Sequence, residues 1–121
     1  MRVAIVGSRT FTNPRVIAEA ITRLQEKYDD LTIVSGGAKG TDSLAAAIVV
    51  ARKIPLTVHL PEWSVYGKSA GFRRNQTIVD DSDMIIAFFA DGPRSAGTNH
   101  TVHIARDAGK EIQIYHEGAW S

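Results

Sequence analysis

The sequence predicts a single doubly wound α/β domain over residues 1–121, built on a five-stranded parallel sheet in the order 3-2-1-4-5 with helices on both faces. Short apolar runs alternate with helical stretches along the whole chain. The runs are continuous in Val, Ile, Leu and Phe, as strands covered on both faces are. Three of them run straight into loops of glycine, hydroxyl and cation, and in a parallel sheet such loops gather on one edge.

The first strand, Arg2–Val6, leads into Gly7-Ser8-Arg9-Thr10. A helix then starts at Asn13-Pro14, with Asn as N-cap and Pro at the first helical position. Val16, Ile17, Ala20, Ile21 and Leu24 share one face of it. The second strand, Thr32–Ser35, enters Gly36-Gly37-Ala38-Lys39-Gly40-Thr41-Asp42, and a helix follows over Thr41–Lys53. The third strand is Pro55–Leu60, and Pro61–Ser69 is the one irregular stretch, of a kind that often belongs to sites. A third helix spans Ala70–Asp80. The fourth strand, Asp83–Phe89, passes into Ala90–Thr98, and the last helix, Gly97–Ala108, stops before Gly109 as C′ residue. Glu111–Tyr115 closes the sheet. This order implies right-handed crossovers.

A chain of 121 residues is long enough for one real core. The net charge of +1 argues against a general nucleic-acid coat or a polybasic membrane surface. Charge is nonetheless uneven: Arg9, Lys39, Lys68, Arg73, Arg74 and Arg94 fall in or beside the loops, whereas Glu19, Glu26, Asp29 and Asp30 lie on or just after the first helix. The absence of cysteine excludes disulfides and thiolate metal sites. The N-terminus opens on a strand pattern with no signal-peptide core. The longest apolar run, Leu44 to Ala51, is far below the roughly 20 residues that span a bilayer. A cytoplasmic protein without membrane partners is expected. Because Leu44–Ala51 is apolar all round, a buried outer side is expected too, and with it a homodimer packed through that helix.

In open α/β sheets ligands sit beyond the carboxyl ends of the strands, where the strand order reverses. That places Gly7-Ser8-Arg9 opposite Pro93–Thr98, with the Gly36–Asp42 loop flanking the opening. Glycine amides and helix N-termini there form a concave donor surface suited to phosphate. The Ser8, Thr41, Ser95 and Thr98 hydroxyls and several cations converge on it. The expected ligand is a nucleotide-type small molecule, with no cofactor required. On this view Gly37→Val blocks the ligand while leaving the fold intact. Tyr66-Gly67-Lys68 through Arg73-Arg74-Asn75 forms a second cationic segment. One of the two arginines is expected to point into the crevice and the other to solvent, since Arg gives bidentate recognition of phosphate. Trp63 and Tyr66 either stack on a base or cover the core.

Asp42 is a first-turn acid favoured by the helix dipole, a ribose contact or a general base. His100 and His103 are three apart on one helix, a spacing able to share a metal. No carboxylate or third histidine stands at ligand spacing beside them, so no metal site is expected.

Val6-Gly7-Ser8-Arg9, Ser35 through Asp42, Tyr66-Gly67-Lys68 through Asn75, and Arg94-Ser95-Ala96-Gly97-Thr98 together resemble the SLOG superfamily, specifically its small YspA-type proteins. The resemblance covers nearly the whole chain. It implies a Rossmann-like fold and a nucleotide-type ligand. Relatives include LOG-type phosphoribohydrolases, which split nucleoside monophosphates at the glycosidic bond, and DprA, which binds single-stranded DNA. LOG-type hydrolases carry Gly-Gly-x-Gly-Thr-x-x-Glu, and their glutamate assists cleavage. Here Thr101 stands at the glutamate position, and a threonine hydroxyl neither stabilises an oxocarbenium-like centre nor serves as a base near neutral pH. The leading expectation is therefore a domain that senses or sequesters a nucleotide. An N-glycosidic hydrolase, with Asp42 or Asp91 in place of the glutamate, is the second, and a single-strand-binding module is the third.

Overall fold

A computed structural model describes all residues, 1–121. One sheet of six strands runs in the order β3-β2-β1-β4-β5-β6. Its members are β1 (Arg2–Gly7), β2 (Thr32–Ser35), β3 (Leu56–Val58), β4 (Met84–Phe88), β5 (Glu111–His116) and β6 (Ala119–Trp120). The first five pair in parallel and β6 pairs antiparallel with β5. The helices are α1 (Pro14–Lys27), α2 (Thr41–Ala51), α3 (Trp63–Tyr66), α4 (Ala70–Asp80) and α5 (Ala96–Asp107), with a 3₁₀ turn at Gly67–Ser69.

The expected local signals act as the physics requires. Asn13 caps α1, its side chain accepting the Arg15 N–H at 3.1 Å. At the end of α5 the Gly109 N–H returns to the Arg106 carbonyl and the Lys110 N–H to that of Ala105. Central strands are apolar on both sides because both sides are covered. Val3 and Ile5 pack with Ile17, Ile21, Ala45 and Val49 under α1 and α2. Ala4 and Val6 pack with Ile78, Val79, Val102 and Ala105 under α4 and α5.

Two elements go beyond the expectation. The stretch read as irregular, Pro61–Ser69, contains the short helix α3 and the 3₁₀ turn. The sheet also gains β6, too short to leave a pattern. It is turned back by Glu117 (φ 54) and Gly118 (φ 77), the left-handed pair that a tight two-residue hairpin demands. Trp120 on β6 meets Phe88 at 5.5 Å and Tyr115 at 5.3 Å between ring centres.

Only part of α2 is free. Ala45 and Val49 are fully buried, and Leu44 and Ile48 pack against the same core. The exposed part of its apolar run is Ala47, Val50 and Ala51, with Val50 65% exposed. No helix is long and apolar enough to cross a membrane.

Candidate functional site

The strand order reverses between β1 and β4, whose ends are held in register as far as Gly7 opposite Phe88. Beyond them the Ser8 hydroxyl accepts the Ala90 N–H at 3.1 Å and lies 3.4 Å from the Ser95 hydroxyl. The loop after β2 docks from the side: Thr41 donates both its N–H (3.2 Å) and its hydroxyl (3.1 Å) to the Ser8 carbonyl. Three loops are thereby fixed around one cleft of about 420 Å³ on the α4/α5 side of the sheet.

Of the residues singled out in the sequence, Gly7, Ser8, Arg9, Gly36, Ala38, Asp42, Lys68, Arg74, Asn75, Ser95, Gly97 and Thr98 line this cleft. Gly37, Lys39, Gly40, Thr41, Arg73 and Arg94 do not. Thr41 is fully buried as a structural tie. Arg73 stacks on Tyr66 at 4.4 Å, outside the cleft, and Arg94 lies over Phe89 at 5.0 Å. The two adjacent arginines thus do divide: Arg74 faces in and Arg73 faces out. Gly37 needs correction. Its φ is +67, and a Cβ there would sit 2.6 Å from Leu60 Cδ2, so Gly37→Val strains the fold itself rather than merely blocking a ligand.

The loop after β2 also differs in kind from the expected cradle. Two of its donors are engaged internally, Gly37 N–H to Ser35 Oγ at 3.2 Å and Ala38 N–H to Asp42 Oδ2 at 3.0 Å, whereas the Lys39 and Gly40 amides make no hydrogen bond within the protein. Asp42 folds back four residues and occupies the concave surface that an external anion would need. At the N-terminus of α5 the opposite holds. No side chain caps its first turn, and the Cβ position of Gly97 meets nothing within 4 Å. Thr98 is only 8% exposed, yet its hydroxyl has no protein partner and opens on the cleft.

Arg74 is anchored by Nη1 to the Gly36 carbonyl (2.6 Å) and by Nε to Asn75 Oδ1 (3.1 Å). Asn75 Nδ2 in turn donates to the Gly97 carbonyl at 3.3 Å and lies 3.2 Å from His100 Nδ1. Asn75 therefore links the arginine of α4 to the first turn of α5. Asp42 is 6% exposed, and burial pushes its carboxyl above the usual carboxylate range. The Ala38 amide, Arg74, the Gly36 amide and Arg9 act against that shift. Burial likewise lowers the Arg74 guanidinium, with Asp42 opposing.

Trp63 and Phe72 form the aromatic side of the cleft, with Lys68 and Gly71 beside them. Tyr66, read as either stacking on a base or covering the core, instead carries Arg73. Phe72 escapes a reading of the sequence, because one phenylalanine on a helix reads as core; it is 56% exposed and packs on His100 at 4.5 Å. His103 points away and pairs at 3.4 Å with Asp107, one helical turn on, which corrects the expectation that no carboxylate stands beside the two histidines. Thr101 lines the cleft with its hydroxyl turned back to the Gly97 carbonyl (3.4 Å). Asp91 is absent from the cleft. It lines a shallower hollow of about 690 Å³ with Phe11, Tyr115 and Glu117, whose carboxylates have no lining cation to balance them. Of the two acids considered as replacements for a catalytic glutamate, only Asp42 is in the cleft.

Comparison with protein families matches residues 1–66, more than half of the chain, to YAcAr, described as the YspA, cpYpsA-related SLOG family. The chain belongs to this SLOG family. Among solved structures it is similar to DNA processing protein A (DprA) from Streptococcus pneumoniae, at 20% identity and a TM-score of 0.70. The match covers 93% of this chain and 49% of that one, so this SLOG chain spans about half the length of DprA. It is also similar to the structural-genomics target TM1055, at 18% identity and a TM-score of 0.67, covering 92% of this chain and 71% of that one. At these identities the likeness shows a shared Rossmann-like fold. No curated protein matches.

Proposed function

We infer that this SLOG protein binds a nucleotide or nucleotide-derived ligand in the cleft at the β1/β4 switch point and holds it without cleaving it. The observation that carries this reading is the uncapped first turn of α5 beside the Thr98 hydroxyl, which has no protein partner and opens on the cleft. Free backbone donors and an aligned helix dipole favour a phosphate there, and Ser8 and Ser95 add hydroxyls. Arg9, Lys68 and Arg74 against Asp42 give the cleft walls a net charge of +2, counting three cations and one carboxylate. Trp63 and Phe72 offer faces for a base. The phosphate is thus assigned to the Ser8 and Ser95–Thr98 side rather than to the Gly36–Thr41 loop.

Thr101 at the hydrolase glutamate position supports binding over turnover. The second reading is an N-glycosidic hydrolase, and what favours it is Asp42, the one acid lining the cleft, with its carboxyl raised by burial. The likeness in fold to a DNA processing protein keeps a DNA ligand as a third reading. A cytoplasmic location is part of the same proposal. A homodimer through Ala47, Val50 and Ala51 remains part of the proposal, checked by size exclusion with light scattering.

Native mass spectrometry of freshly purified protein, followed by titration with AMP, GMP, CMP and UMP, tests the reading. A co-purifying nucleotide or saturable binding of one of the four supports it. Release of free base during incubation moves the assignment to the hydrolase. Folded protein that binds no nucleotide, but binds an oligodeoxynucleotide with steep salt dependence, overturns it.

A further inference from the structure

Asp42 and Arg74 stand beside each other in the cleft as charge neighbours without touching. Each feels the other's charge, yet no hydrogen bond and no ion pair within 4.0 Å joins them. Both are instead held by backbone: Asp42 Oδ2 by the Ala38 N–H, and Arg74 Nη1 by the Gly36 carbonyl. Those two partners lie in the same loop, so acid and base are fixed on one frame. Asp42 Oδ1 and Arg74 Nη2 make no side-chain hydrogen bond within the protein, and both residues line the cleft. No side-chain polar atom is both buried and unpartnered, so this carboxylate oxygen and this guanidinium nitrogen stand open to the cleft as an acceptor and a donor held on one frame.

The chemistry of that something is constrained from two sides. A carboxylate only accepts hydrogen bonds and a guanidinium only donates them. A phosphate satisfies Arg74 but is repelled by Asp42, which is a second reason for placing phosphate at the α5 end. A hydroxyl both donates and accepts, so two adjacent hydroxyls satisfy the pair together: one donates to Asp42 while its neighbour accepts from Arg74. In a nucleotide the sugar lies between base and phosphate. A ribose offers a vicinal pair of hydroxyls and a 2′-deoxyribose does not.

We propose that Asp42 and Arg74 together read the vicinal hydroxyls of a ribose, making the cleft selective for ribonucleotides over their 2′-deoxy counterparts. The inference rests on the nucleotide reading above and adds the sugar as its specificity element. Asp42 is then the specificity residue and Arg74 its donor partner. Gly36 keeps the slot open, since a Cβ at that position would lie 2.8 Å from Arg74 Nη1 and 3.2 Å from Asp42 Oδ2.

The test is calorimetric titration of the wild-type protein with AMP, GMP, CMP and UMP and with the 2′-deoxy form of each. The expected result is that the best ribonucleotide binds at least about tenfold more tightly than its 2′-deoxy form, because the missing hydroxyl leaves one charged group of the pair without its charge-assisted contact. In Asp42→Asn that ratio collapses towards one. The wild-type ratio needs no variant, so misfolding of Asp42→Asn cannot mask the result. Equal affinity for the two sugar series overturns the ribose assignment and leaves nucleotide binding standing. A preference that follows guanine in both series does the same, assigning the pair to a base edge. Binding in neither series overturns the nucleotide reading and this inference with it.

Discussion

Thr41 Oγ1 donates to the Ser8 carbonyl at 3.1 Å inside the core, while the Thr41 N–H reaches the same oxygen at 3.2 Å. One carbonyl of the β1 loop thus anchors the entire loop after β2. Thr41→Val keeps the shape and removes the hydroxyl donor. The expected cost is about 1–2 kcal/mol in urea unfolding, and nucleotide affinity drops as well, because Asp42 and Ala38 ride on the same loop. A variant as stable as wild type would show that the N–H alone holds the loop.

The neighbouring arginines of α4 make a sharper pair. Arg74 lines the cleft between Gly36 and Asn75, whereas Arg73 lies over the Tyr66 ring and takes no part in the cleft. Arg74→Met is expected to weaken nucleotide binding by at least about tenfold, the loss of one charge-assisted contact. Arg73→Ala is expected to leave affinity within about twofold and to loosen only the α3–α4 surface. Equal losses from both would mean that the cleft draws on its cations as a diffuse field rather than through one contact.

The division between these arginines also shows how far the sequence reads. Helical residues one apart point about 100° apart, so one inward and one outward arginine follows from spacing alone. Which is which depends on Asn75, Ile78 and Val79 being the buried face of α4, and that requires the sheet beneath. The strand pattern and the loops on one edge were legible because parallel strands are apolar on both faces. The return of Asp42 onto Ala38 was not, since a carboxylate four residues after an amide reads equally as a dipole-favoured helix start. That Tyr66 lies outside the cleft was not legible either, because α3 is a single turn, too short to set a period. β6 escaped for the same reason of length.

Away from the cleft, Asp81 binds Arg2 Nη2 at 2.7 Å and the His59 ring at 2.8 Å, tying the end of α4 to β1 and to the exit of β3. The Arg2 hydrogen bonds, then His59, hold the Asp81 carboxyl below the usual carboxylate range. A depressed carboxyl stabilises the fold above its unfolded value near about pH 4, and that contribution is lost as pH falls through the lower folded value. Asp81→Asn should therefore cost about 1–2 kcal/mol at pH 7, the modest size reflecting partial solvation of the pair. Wild type and variant should converge in thermal unfolding as pH falls through that lower folded value. A gap that persists in acid would trace the cost to packing rather than charge.

Asp42 has the opposite sign, and this separates a ligand-reading residue from a structural one. Burial raises its carboxyl in the folded protein. A raised group favours folding below its unfolded value, and that contribution is lost as pH rises through the folded value. Above that folded value the ionised Asp42 works against the fold. Asp42→Asn keeps an oxygen to accept the Ala38 N–H and carries no charge to desolvate. The variant is expected to melt above wild type at pH 7, with the difference shrinking as pH falls towards about 4. Its affinity for ribonucleotides should fall over the same comparison. Gaining stability while losing ligand is the signature of a group placed for binding at the expense of the fold. If Asp42→Asn melts below wild type at pH 7, the carboxylate is instead a structural cap of its loop, completed by Arg74 and Arg9 rather than by a ligand.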